Sequence, residues 1–124
     1  MLRRHRQPAE PIVMLEARDY RGRRVILTLD IWINKILATR PSAIKYFPEQ
    51  IRLALTDPTE VRVDRTHTDR RCHYLDIGHN TRGEQGFLKV VIFYEDDASP
   101  SSEGKVLTCY PTGCMPSGEQ QEWP

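Results

Sequence analysis

The chain has 124 residues with 18 basic and 17 acidic side chains, a formal net charge of +1, which together describe one compact domain and exclude a uniformly basic nucleic-acid binder. A composition that is 39% apolar, 28% charged and 8% aromatic excludes disordered, collagenous and disulfide-scaffold chains. At this size folding removes roughly two-thirds of the unfolded surface from water, enough for a core without disulfide or metal support.

The total charge hides a segregation. Residues 1–24 carry +4, residues 25–94 carry +2 and residues 95–124 carry −5, and 14 of the 18 basic residues are arginine, whose planar fork suits phosphate and carboxylate. No apolar run approaches the roughly 20 residues of a membrane span, and the opening MLRRHRQPAEPIVML lacks the apolar stretch of a secretory signal. The expected location is cytoplasmic, with Cys72, Cys109 and Cys114 as thiols; their spacing does not suit a zinc site, so no metal and no cofactor is expected.

In chain order, residues 1–11 read as a mobile basic arm, residues 12–111 as a single domain and residues 112–124 as an extended or disordered acidic tail. Ile12–Glu16 and Arg24–Thr28 are apolar, β-branched runs separated by Asp-Tyr-Arg-Gly, which predicts a hairpin with Gly22 in its turn. Thr28 is placed to cap a helix with Leu29, Trp32, Ile33, Ile36 and Leu37 along one side, stopping before Pro41. A second helix begins near Pro48, presents Ile51, Ala54 and Leu55, and ends at Asp57-Pro58, with Ile44, Tyr46 and Phe47 packing in the connection.

From residue 60 the apolar period changes to two, through Val61 and Val63, then Cys72 to Ile77, Phe87 to Tyr94 and Lys105 to Tyr110. Phe87 to Tyr94, apolar on both sides except at Lys89, predicts a central strand covered by helices on one face; Val106, Thr108 and Tyr110 fall on one face of the last strand. The expected fold is α+β: an N-terminal strand pair and two helices packed on one face of a four-stranded antiparallel sheet, whose other face is free to bind.

No glycine-rich phosphate loop, dinucleotide fingerprint, HExxH or nucleophile elbow is present, which argues against nucleotide-cofactor chemistry. What stands out is a set of polar side chains within strand-like segments. Metal-free phosphodiester cleavage needs a proton acceptor that titrates near neutrality, a donor for the leaving oxygen and cations against the developing charge. His73 suits the first role, Tyr110 or Thr108 the second, and Lys89 with Arg71 the third; Arg62 and Arg70 extend the basic surface. Each also has a structural reading. His73 suits a hydrogen-bonded core histidine, Lys89 a stem lying over aromatic neighbours, and the arginines ordinary edge charges.

An ordered series of phrases carries a resemblance: Trp32 with Lys35-Ile36-Leu37 and Arg40-Pro41, Ile51 to Val61, Arg70-Arg71-Cys72-His73-Tyr74, Phe87 to Val91, and Val106 to Pro111. Over residues 24–111 the chain resembles the small phage-associated nuclease-like domains of the barnase, EndoU, colicin and RelE group. The resemblance implies a helical N-terminal part before a four-stranded antiparallel sheet, metal-independent ribonuclease activity, and Lys35 and Arg40 as phosphate-binding positions. Where that group commonly has histidines, this chain has Lys35 and Arg40. The partners implied are RNA and, for a toxin-like member, a cognate inhibitor protein. Two functions follow as expectations: an RNA-binding, ribonuclease-like hydrolase, or a non-catalytic α+β domain using the same basic face for an RNA backbone or a protein.

Overall fold

The computed structural model describes residues 10–124; residues 1–9, most of the expected basic arm, lie outside the described residues. The first apolar runs pair as an antiparallel hairpin of β1 (Val13–Arg18) and β2 (Arg24–Thr28). Its connection turns at Gly22, whose φ of 81° is a conformation side chains resist. Asp19 secures the turn by accepting the backbone N–H groups of Arg21 and Arg23, each at 2.8 Å.

The Thr28 hydroxyl accepts the N–H of Ile31 at 3.4 Å and so caps α1 (Leu29–Ile31). The chain then widens into a π-helical stretch, Trp32–Leu37, that buries Trp32 and Ile36. A 3₁₀ segment, Pro41–Tyr46, leads to α2 (Glu49–Thr56), which buries Ile51, Ala54 and Leu55. Ile44, expected to pack in this connection, is instead 61% exposed, while Tyr46 is buried.

Four antiparallel neighbours follow: β3 (Glu60–Val63), β4 (Arg70–His79), β5 (Gln85–Tyr94) and β6 (Gly104–Thr112). The expected four-stranded antiparallel sheet under two helices is corrected here. The sheet has seven strands in the order β1-β2-β6-β5-β4-β3-β7, it is mixed, and its helical cover consists only of short segments. Two joins enlarge it. The hairpin docks through a parallel contact, Val25 opposite Gly104 and Ile26 opposite Lys105, so the strand pair continues the sheet. Gly104 allows that approach, because a Cβ there would lie 2.8 Å from the Ile92 and Tyr94 side chains and 3.0 Å from Val25. At the far edge, tail residues form β7 (Gln120–Trp123), antiparallel to β3.

The main core lies between the sheet and the helical segments, around Leu27, Trp32, Ile36, Ile51, Leu55, Val90, Ile92 and Val106. A smaller apolar cluster, Cys72, Tyr74 and Val91 with Phe87, Leu107 and Met115, lies on the opposite face. The β6 register slips between Val91 and Ile92, so Val106 pairs with core residue Ile92 while Thr108 pairs with Val91. This bulge corrects the period-two expectation: Val106 points to the core, whereas Thr108 and Tyr110 lie on the free face.

Candidate functional site

Strand pairing sorts the sequence candidates onto two faces. Val90, a core residue, lies opposite His73 on one side and Cys109 on the other; the next residue along, Lys89, lies opposite Tyr74 and Tyr110. Because neighbouring residues of a strand point to opposite faces, His73 is under the helices and Lys89 is on the free face. The expected group of His73, Lys89, Thr108 and Tyr110 therefore does not converge. Its last three members share a face and its histidine is on the other side of the sheet.

His73 has a structural assignment that the local chemistry explains. In α2 the carbonyl of Ala54 would accept the N–H four residues on, but that residue is Pro58, which has none. His73 Nδ1 lies 2.8 Å from this carbonyl and donates in its place. The ring is fully buried, edge-on to Tyr20 at 5.4 Å between centroids, and its Nε2 has no partner among the described residues. Burial pushes its pKa down to about 4, against the opposing pull of the Ala54 carbonyl.

Arg71 shares that covered face. Its guanidinium donates to Asp97 at 2.6 Å, to Glu122 at 2.9 Å and to the Thr68 carbonyl at 2.7 Å. Asp97 also accepts from Arg21 at 2.9 Å and Arg23 at 3.3 Å, while Glu103 meets Arg24 at 2.6 Å. The acidic end of the sequence thus neutralises the Arg-rich hairpin and β4. Against the opposing effect of burial, these arginines hold the Asp97 carboxyl below its ordinary range. Arg71 is a brace, not a free phosphate ligand.

On the free face, Lys89 is only 7% exposed. Its Nζ donates to Glu119 at 2.8 Å, and the other oxygen of that carboxylate accepts the Tyr74 hydroxyl at 2.5 Å. The ammonium lies 5.4 Å from the Tyr74 ring centroid and 5.9 Å from that of Tyr110. Burial opposes the charge on Lys89, but the interactions with Glu119, Tyr74 and Cys72 together outweigh it and the pKa is raised. Burial and the same carboxylate raise Tyr74 as well, and burial lifts the neighbouring Cys72 thiol to about 12.

Arg40, just beyond the π stretch, sets its guanidinium 4.0 Å from the Tyr110 ring centroid. Across the sheet, Phe93 of β5 pairs with Arg70 on one side and Lys105 on the other. Arg62, opposite Cys72, is held by Glu60. Lys35 is exposed on the π stretch and reaches none of these groups through a described hydrogen bond or ion pair.

The free face therefore carries two rows. One is Arg70, Phe93 and Lys105; the other is Tyr74, Lys89 and Tyr110, extended by Arg40. Glu119 was not a sequence candidate, since it lies in a stretch without periodicity; the only hint was that a lysine in a central strand needs an anion. Lys105 and Phe93 read as ordinary strand residues. The three thiols are free, and Cys72 and Cys109 lie on opposite faces. Among the described residues no helix is long and apolar enough to cross a membrane. No family model, curated protein or solved structure matches this chain.

Proposed function

We propose that the domain binds single-stranded RNA on the free sheet face and does not cleave it. The observation that carries this reading is the pair of rows just described, in which half-buried rings of Phe93 and Tyr110 are flanked by Arg70, Lys105 and Arg40, cations that make no ion pair among the described residues. The Phe93 ring and the Arg40 guanidinium that lies over Tyr110 offer planes on which unstacked bases stack, and the flanking Arg70 and Lys105 groups meet the phosphates between them. RNA is also the ligand implied by the resemblance to the nuclease-like group.

Neither of the two rows contains a histidine among the described residues. His73, the histidine expected to act as base, is buried on the other side of the sheet with Nδ1 engaged by Ala54. Both oxygens of Glu119 are engaged by Tyr74 and Lys89.

The test is fluorescence anisotropy with a short labelled single-stranded RNA, in chelator and at low salt. Wild-type protein retains the RNA, and retention falls steeply with salt as counterions return to the phosphates. Phe93→Ala and Tyr110→Ala each weaken binding about tenfold, the effect of losing one stacked base. Absence of retention by the wild type overturns the reading. RNA cleavage in chelator that disappears in His73→Ala overturns its non-catalytic part.

A further inference from the structure

The tail takes an unexpected route. It leaves β6 at Thr112 and must reach the outer edge of β3, so residues 113–119 cross the free face over β5 and β4 before β7 begins. Its fixings on that face are few. Met115 packs on the Cys72, Tyr74 and Val91 cluster, a turn closes from the Glu119 N–H to the Pro116 carbonyl, and Gly118 lies so close to Arg65 that a Cβ would be 2.4 Å from its Cδ. The one charged anchor is Glu119, itself 8% exposed, whose carboxylate occupies the donors of Lys89 and Tyr74.

That anchor sits within one of the two rows assigned to RNA. A carboxylate held by an ammonium and a phenol has the donor set that a phosphodiester oxygen pair would use. Among the described residues Lys89 is also the one cation of the two rows that forms an ion pair, whereas Arg40, Arg70 and Lys105 form none. We infer that residues 113–119 are a regulatory strap: Glu119 stands in for a phosphate at Lys89 and Tyr74, and RNA must displace it to use the full face. This inference rests on the RNA reading above.

Glu119→Gln removes the competing charge and keeps the shape. Its RNA affinity rises about tenfold, the worth of one charge-assisted contact. Its log–log salt slope steepens by about 0.7, the contribution of one further phosphate on a single strand. Combining it with Lys89→Met cancels both gains, because the cation that the strap masked is gone. A second measurement needs no variant: amide hydrogen exchange of the wild type, where adding RNA accelerates exchange at Glu119 and its neighbours in 113–119. Wild-type protein that retains RNA, with Glu119→Gln unchanged in affinity and slope, overturns the strap and leaves the RNA reading standing. Slower or unchanged exchange across 113–119 on RNA binding likewise overturns the strap. Loss of retention by both proteins overturns the RNA reading and the strap with it.

Discussion

His73 and Lys89 are basic side chains buried on opposite faces of this sheet, and they are accommodated by opposite means. Under the helices His73 is fully buried, releases its proton and spends its one remaining N–H on a helix carbonyl that Pro58 leaves open. On the free face Lys89 is almost as buried, stays charged, and is met by a carboxylate brought from 30 residues away. The difference follows from intrinsic basicity. An imidazole reaches its neutral form within a few kcal/mol of its ordinary state, whereas neutralising an ammonium at pH 7 costs more than pairing it. The buried imidazole can therefore be closed over as a neutral ring, while the buried ammonium, like the Arg71 guanidinium, needs a carboxylate from a distant segment.

Acid should break the comparison on the covered side with the largest effect. The folded-state pKa of His73 is about 4 and the ordinary value is 6.5, so between these limits the unfolded chain binds the extra proton. Stability is full above about pH 6.5 and falls by about 3 kcal/mol as pH drops to about 4. Denaturant titrations across this window should follow that slope in the wild type. His73→Asn, which keeps a donor for Ala54 without a titrating ring, should lose it; an unchanged slope would place the acid sensitivity elsewhere.

The next effect is on the free side. Glu119→Ala removes the partner of both Lys89 and Tyr74 and should lower stability by about 2 kcal/mol, limited because the strap can lift and let water reach the ammonium. Replacing the pair together, Lys89→Met with Glu119→Leu, should recover most of that loss, since apolar groups of similar size leave no unpaired charge. Equal losses in the single and double variants would mean that packing, not charge, holds the strap. The smallest effect belongs to the part-exposed pair of Arg62 and Glu60: Arg62→Ala should change stability by about 0.5 kcal/mol, readable as a small shift in the denaturation midpoint.

How much of this was legible depended on distance along the chain. Thr28, Gly22 and Pro58 act within a few residues of themselves, and the hairpin, the helix start and the helix stop they announce are all present. The structural role of His73 was half visible, because Pro58 falls four residues after Ala54 and leaves a carbonyl without its donor. Alternation within a strand likewise placed Phe87, Lys89, Val91 and Phe93 in one row. The relation between strands was not visible: had β4 slipped by one residue against β5, His73 instead of Tyr74 would face Lys89, and the expected catalytic group would have closed. The Leu107 bulge and the docking of β2 on β6 are of the same kind.

By itself, then, the sequence determined the local elements, the alternation along β5 and the segregation of charge between its two ends, since each depends on propensity, period or composition over a short stretch. Only the tertiary structure decided that the acidic end neutralises the Arg-rich hairpin, that the strand pair and tail extend the sheet to seven strands, and that Glu119 lies on Lys89. Those outcomes depend on register and on contacts between residues far apart in the chain, where burial and charge pairing in three dimensions outweigh any local preference.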